Sequence, residues 1–397
     1  MIPSYNRKVI SGQTNSLGMV ISHKMSENKM GYRGSKSENR NPSPNRISVK
    51  EQRVDGSWFL AQQQRSLRCT LMGFERSYPI NNPSKQSKFY FSTLHSDKNV
   101  QLNPYWVTGF TDAEGTFTVV IDKIGFLQRK LGWRIQSKFQ ISLHVRDLPL
   151  LLKIQQFFGG IGSVSVSGDL AFYSVSSVKD LVKIIIPHFL KYPLLTQKGA
   201  DFILFKQIVE LMENRAHLTI NGLNQIINIK ASINLGLSES LKSEFKDVIP
   251  VERALIETEI IPDPYWLTGF VDGEGTFDIK IYSSKTNLGF AVQLRFRIPQ
   301  HDRDSKLIKV IIKYFGSGSL EKHTRHHAVT LVINKFTTVT DKIIPFFDNY
   351  PLVGVKKNDF LDWCTVAKLM KNKAHLTQDG FNLIRTIKSG MNKSREK

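Results

Sequence analysis

Cysteine is nearly absent: 397 residues contain two, Cys69 and Cys364, in unrelated surroundings. With no CxxC pair and no regular Cys/His spacing, neither a disulfide framework nor a structural zinc is supported. No apolar run reaches the ~18 residues of a transmembrane helix. The N-terminus lacks the short apolar stretch of a secretory signal; it is basic and Ser/Asn-rich, a composition compatible with an organellar presequence. Acids are scarce as well, with 34 Asp and Glu against 55 Lys and Arg, a net charge of +21. Such an excess says nothing about fold but favours a polyanionic partner, nucleic acid or an acidic membrane surface. It is shared almost evenly between residues 1–100 and the remainder, so the body of the protein is basic in its own right.

What the chain does contain is an internal duplication, the feature to be sought before others. Residues 104–117 read PYWVTGFTDAEGTF and 264–277 read PYWLTGFVDGEGTF. KYPLLTQKGADF (191–202) returns as NYPLVGVKKNDF (349–360), IIIPHF (184–189) as KIIPFF (342–347), and NRAHLT (214–219) as NKAHLT (372–377). The near-constant offset predicts two equivalent halves, at 99–232 and 263–397, joined by a linker at 233–262. Apolar residues at 41%, including 25 Phe, suffice for a core in each half. Residues 1–98, rich in Ser, Asn, Arg and Gln without periodicity, read as a largely irregular basic leader. Its apolar island CTLMGF (69–74) is expected to form one short element.

Each half opens alike. Asn103-Pro104 and Asp263-Pro264 put a capping side chain before a first-turn proline, and the helix is expected to end at Gly115 or Gly275 in a left-handed cap. Alternation follows. In the second copy Phe277, Ile279 and Ile281 share one face, and Thr276, Asp278 and Lys280 the other. In the next strand Ile135, Phe139, Ile141 and Leu143 oppose Arg134, Gln136, Lys138 and Gln140. Its counterpart sets Val292, Leu294, Phe296 and Ile298 against Gln293, Arg295 and Arg297. Helices are expected at 148–158 and 304–315, strands near 161–176 and 318–333, helices at 197–213 and 355–371, then shorter helices after each AHLT. The order α-β-β-α-β-β-α, twice, predicts an α+β fold.

The duplicated acids Glu114 and Glu274 fall at helix ends, where unpaired carbonyls carry partial negative charge. A carboxylate is unfavourable there alone and favourable with a hard dication such as Mg²⁺. Glu114 and Glu274, with the carbonyls of Ala113 and Gly273, would form such a site if the two helices packed together. Gly109 and Gly269, with Thr108 and Thr268, would permit that approach despite the helix penalty of glycine, about 1 kcal/mol. Metals held by paired carboxylates near a phosphodiester can polarise the phosphate, generate hydroxide and stabilise the leaving oxygen. Asp112 and Asp272, two positions earlier, point elsewhere and read as structural helix-end groups.

Lys198 and Lys356 occupy matched helix starts and could stabilise charge on a phosphate. The polar rows Arg134, Gln136, Lys138, Gln140 and Gln293, Arg295, Arg297 carry the chemistry that reads bases in a major groove; most polar strand faces are merely wet, and the net charge tips these toward DNA. His217 and His375 read as junction residues. His323, His326 and His327 have no regular ligand spacing.

VTGFTDAEG (107–115) and LTGFVDGEG (267–275) resemble the signature of the LAGLIDADG homing endonucleases in their single-chain, two-motif form. The paired II-P-F, PLLTQK and AHLT segments look like the fungal mitochondrial intron-encoded branch. The resemblance spans about residues 101–393. It implies two αββαββα halves with saddle-shaped antiparallel sheets, signature helices at the pseudo-twofold seam, and Glu114 and Glu274 binding catalytic Mg²⁺ or Mn²⁺. It further implies a double-stranded DNA partner cut on both strands, no membrane, a monomer and a mitochondrial location. Lys198 and Lys356 look similar to the family's basic active-site residues. Gln300 sits where a polar active-site residue is usual, whereas its counterpart Leu143 is apolar, an asymmetry between the two strand cuts. The leader falls outside the resemblance and is expected to be an exon-derived or intron-frame extension. The alternative is an RNA-binding maturase acting on its own intron RNA; intact Glu114 and Glu274 favour cleavage. A generic basic RNA-binding protein would leave the duplicated acids unexplained.

Overall fold

The computed structural model describes residues 101–124, 131–323, 327–392 and 395. The leader, its CTLMGF island and His326 lie outside the described residues. The first half runs α1 (Pro104–Glu114), β1 (Gly115–Lys123), β2 (Trp133–His144), α2 (Leu148–Phe157), β3 (Ser163–Ser167), β4 (Leu170–Val175), α3 (Ile186–Lys191), α4 (Lys198–Glu213) and α5 (Ile220–Lys230). After a short α6 (Glu239–Glu244), the second half repeats the order. It comprises α7 (Pro264–Glu274), β5 (Thr276–Ser283), β6 (Phe290–His301), α8 (Ser305–Phe315), β7 (Ser319–His323), β8 (Ala328–Ile333), α9 (Ile344–Asn349), α10 (Lys356–Lys371) and α11 (Gln378–Ser389). Each half holds one antiparallel four-stranded sheet, ordered β1-β2-β4-β3 and β5-β6-β8-β7. This is the expected α+β architecture. Among the described residues no helix is long and apolar enough to cross a membrane.

The caps explain where the signature helices begin. Asn103 Oδ1 accepts the Tyr105 N–H and Asp263 Oδ1 the Tyr265 N–H, both at 2.8 Å. The expected left-handed ends do not occur: Gly115 and Gly275 are extended, with φ of −77° and −66°. Each strand starts at once, so no reversal is needed. Glycine is required there for space, because a Cβ would lie 2.5 Å from Thr111 Cγ2 in one half and 2.4 Å from Val271 Cγ1 in the other.

Alternation along β2 is regular. Ile135, Ser137, Phe139, Ile141 and Leu143 are buried, while Arg134, Gln136, Lys138 and Gln140 are half-buried. In β6 Leu294, Phe296 and Ile298 are buried between half-buried Gln293, Arg295 and Arg297. The inner rows meet the helices in two cores, one centred on Phe117, Phe139, Phe189 and Phe205, the other on Phe277, Phe296, Phe347 and Trp363. The cores interlock: Ala113 and Leu195 of the first half belong to the second core, and Tyr265 and Val353 pack against the first.

Helical segments at 178–191 and 336–349 were not expected from the sequence. Each contains a π turn, Leu181–Ile185 and Val339–Ile343, directly before an Ile-Pro pair. Ile186 N–H reaches back to Leu181 O, and Ile344 N–H to Val339 O. Proline lacks an N–H and crowds the preceding turn; the wider π turn absorbs both problems within a helix.

Residues 233–253 lie against the first half, whereas Ile261 packs on the second core and Glu257 pairs with Lys306. Ile233 and Leu241 are buried in its core, with Leu237, Phe245, Val248 and Val251 packed on it. Arg253 grips Asp201 with Nη1 at 2.6 Å and Nη2 at 3.1 Å, and its Nη2 also reaches Gln197 O at 2.8 Å. In the second half the matched Asp359 receives Arg395 Nε at 3.1 Å and Asn392 N–H at 2.9 Å.

Candidate active site

The seam is built by α1 and α7, which touch backbone to backbone. A Cβ on Gly109 would lie 1.9 Å from Trp266 O, and one on Gly269 would lie 2.0 Å from Trp106 O. Only glycine permits this, so its helix penalty of about 1 kcal/mol is offset by full burial of Val107, Phe110, Leu267 and Phe270. Thr108 and Thr268 are fully buried within these helices. Their hydroxyls bond within their own halves, to Tyr192 O at 3.1 Å and Tyr350 O at 3.2 Å.

Two buried aspartates latch the seam. Asp112 Oδ2 accepts the Trp266 indole N–H at 2.8 Å, and Asp272 Oδ2 accepts that of Trp106 at 2.9 Å. On its own side Asp112 holds the Leu195 and Thr196 N–H groups and the Thr196 hydroxyl. Asp272 holds the N–H groups of Val353 and Gly354. Burial pushes Asp272 up to about 6, opposed by the Val353 amide, Lys356 and the Trp106 indole. Burial also raises Asp112, against the Thr196, Leu195 and Trp266 hydrogen bonds. Both act as structural groups, as expected. The indoles were missed in the sequence, although tryptophan recurs in each PYW.

Past these latches the helix ends converge. A Cβ on Gly273 would stand 2.2 Å from Ala113 Cβ and 3.2 Å from Glu114 Cγ, so the stem of Glu114 lies against the opposite helix. Glu114 and Glu274 both act on the Lys198 ammonium, which places the two carboxylates in one electrostatic neighbourhood. Lys198 Nζ donates to Thr111 O at 2.9 Å and Ala113 O at 3.2 Å. Lys356 Nζ donates to Val271 O at 2.9 Å and Gly273 O at 2.7 Å. Each lysine thus adds a donor to the last turn of its own signature helix, where Thr111 O and Val271 O already accept the Gly115 and Gly275 N–H groups, and opposes the negative end of the helix dipole. Burial lowers the Lys198 pKa, and the negative charges of Asp112, Glu114 and Glu274 resist that shift.

The lysines occupy one acceptor position on each carbonyl expected to bind metal, those of Ala113 and Gly273. Among the described residues no group of three or more His, Cys, Asp or Glu forms a metal cage. Two carboxylates and two helix-end carbonyls, all oxygen, would suit a hard dication that keeps several waters.

The polar rows carry partners that the sequence reading lacked. Arg134 Nη2 pairs with Asp122 on β1 at 2.7 Å. Arg295 pairs with Asp278, directly opposite it on β5, and Arg297 Nη2 lies 3.6 Å from the same carboxylate. Burial lowers Lys138 and also Arg297. Gln300 sits half-buried at the end of β6, on the inward face by alternation with Ile298; Leu143 is buried at the end of β2. His375 lies beside the backbone of Leu369, near the end of α10. His323 meets the Thr330 hydroxyl at 2.9 Å, and His327 meets Asp302 at 3.1 Å.

The LAGLIDADG endonuclease family profile matches residues 107–209 and 267–367. The chain is 49% identical to a protein named probable intron-encoded endonuclease 3 from Neurospora crassa, over 96% of this chain and 74% of that protein. It is 39% identical to probable intron-encoded endonuclease 2 of the same organism, over 77% of this chain and 70% of that one. Among solved structures, I-SmaMI bound to uncleaved DNA target with calcium ions superposes with a TM-score of 0.72 at 44% identity, covering 74% of this chain and 99% of that chain. The homing endonuclease I-GzeII in complex with its DNA target gives 0.69 at 44% identity, covering 74% and 99%. With two matched signature helices packed at one seam, the chain belongs to the LAGLIDADG endonuclease family.

Proposed function

We propose that this protein is a site-specific endonuclease that cuts both strands of a DNA duplex and so promotes mobility of its own intron. The observation that carries the proposal is the convergence of Glu114 and Glu274 at a seam flanked by two basic sheet faces. Glu114, Glu274 and the carbonyls of Ala113 and Gly273 would hold Mg²⁺ or Mn²⁺. A bound dication supplies Lewis acidity toward the scissile phosphate and acidifies water. Lys198 and Lys356 keep the helix ends rigid and offset the negative potential that would otherwise drive the carboxylates apart. Arg134, Gln136, Lys138 and Gln140, with Gln293, Arg295 and Arg297, would contact the duplex, their aspartate partners restraining the guanidinium forks. Gln300 on one side and Leu143 on the other predict unequal cutting of the two strands.

One chain supplies both acids, which supports a monomer. The intron-encoded relatives from Neurospora crassa, and a more distant one from Saccharomyces cerevisiae named as a mitochondrial protein, support a mitochondrial location. A maturase acting on intron RNA would leave the paired acids and their lysines without a task, and no observation favours it. The test is selection of cleaved duplexes from a randomised library by the purified protein. One cleaved sequence family with Mg²⁺ or Mn²⁺, and none without a dication, is expected; random cutting, or metal-independent cutting, would refute the proposal.

A further inference from the structure

The two active-site lysines start helices that are capped from the opposite half. Neither residue preceding α4 or α10, Gln197 or Val355, offers a side-chain cap to its own helix. The Gln197 side chain turns away, its Nε2 donating to Ile256 O at 2.7 Å. Its backbone N–H donates to Asp304 Oδ1 at 2.7 Å, a residue of the second half. The Val355 N–H, in the second half, faces the Asp147 carboxylate of the first and helps hold its pKa down against burial. Both aspartates close matched HxRD turns, His144–Asp147 and His301–Asp304, that follow β2 and β6 directly. The turns are alike in detail: His144 Nδ1 accepts the Arg146 N–H and His301 Nδ1 the Arg303 N–H, both at 3.2 Å. Asp304 is buried with only 4% exposure, and Asp147 is half-buried.

We infer that Asp304 and Asp147 are crossed positioning residues. Each ties the end of one half's polar strand to the lysine of the other half: Asp304 acts through Lys198, and Asp147 through Lys356. An unbroken path of contacts runs from Arg295 and Arg297 along β6 to Asp304, then through the Gln197 amide to Lys198, the Ala113 carbonyl and Glu114. The mirrored path runs from β2 through Asp147 and Lys356 to Gly273 and Glu274. A shift of one recognition strand on DNA therefore moves the lysine and helix end of the opposite half. The charge of each aspartate also lies near the other half's lysine, Asp304 near Lys198 and Asp147 near Lys356. This inference deepens the proposed endonuclease activity and, in its functional part, rests on it.

Two measurements test it. Hydrogen exchange needs no activity: Asp304→Ala should expose amides around 197–201 while leaving those around 355–359 protected, and Asp147→Ala should do the reverse. Asp304→Asn, which keeps the acceptor oxygen, should restore protection. Loss of protection in the same half as the substitution, or in neither, would overturn the crossing. Strand-resolved cleavage then uses a duplex selected by the wild-type protein. Asp304→Ala should slow, by about tenfold or more, the same strand that Lys198→Met slows. Asp147→Ala should follow Lys356→Met. Duplex affinity should change by less than about twofold, and Asp304→Asn should recover the strand ratio. Equal slowing of both strands, or the strand preference of the same-half lysine, would contradict the positioning role. A wild-type protein that cuts no duplex would sink the endonuclease proposal and leave the exchange result to decide the crossed caps.

Discussion

Residue by residue, the seam is specified by absence of side chain. Alanine at Gly109 or Gly269 would push a methyl into a carbonyl at about half the normal contact distance. Overpacking against backbone is expected to cost about 3 kcal/mol, read as a lowered urea midpoint; an unchanged midpoint would mean that the helices are not in backbone contact. Gly273 differs, because the colliding group is the methyl of Ala113. Gly273→Ala should therefore be rescued by Ala113→Gly, and a double-mutant cycle should give coupling of about 1 kcal/mol or more. Additivity would contradict the packing. Trp106→Phe removes one donor from buried Asp272 and should destabilise by about 1–3 kcal/mol in chemical denaturation. At this scale the sequence was informative wherever a residue type met its own repeat: the repeated glutamates, glycines and lysines all lie at or beside the seam. It was silent on the Trp–Asp latches and the crossed aspartates, because a duplication reveals which residues correspond and not which half they touch. The recurring HxRD was the available signal.

At the scale of elements, caps and alternation sufficed for the signature helices and for β2 and β6, whose patterns repeat with a period of two. Ile-Pro pairs hid α3 and α9, since a proline inside an apolar run reads as a break unless a π turn accommodates it. Within α3, His188 is a half-buried polar residue whose match in α9 is Phe346. Burial lowers its pKa from 6.5 to about 4. Thr108 spends its proton on Tyr192 O, so its oxygen accepts from His188 Nε2, 3.1 Å away. The neutral imidazole belongs to the folded state. Its contribution is present in full above pH 6.5 and is lost as pH falls through about 4. The shift corresponds to about 3 kcal/mol. His188→Phe should lower the pH of acid unfolding, followed by tryptophan fluorescence; an unmoved midpoint would show that His188 does not titrate with folding.

For the whole molecule, net charge and duplication are read differently. The charge of +21 spreads over leader and body, so it announces a polyanion without locating it, while the sheets gather part of it into two ordered rows. Duplex affinity should fall by about 10³-fold between 50 and 200 mM salt if several phosphates are neutralised; a flat profile in filter binding would remove DNA as the partner. The seam turns two weak sites into one: each half alone offers a single acid at a helix end, where it is disfavoured. Cleavage of a selected duplex by Glu114→Gln and by Glu274→Gln, assayed beside duplex binding with Mg²⁺, tests this most directly. Each single substitution should abolish double-strand cutting while binding stays within about threefold of wild type. Full double-strand cutting by either variant would contradict a shared site.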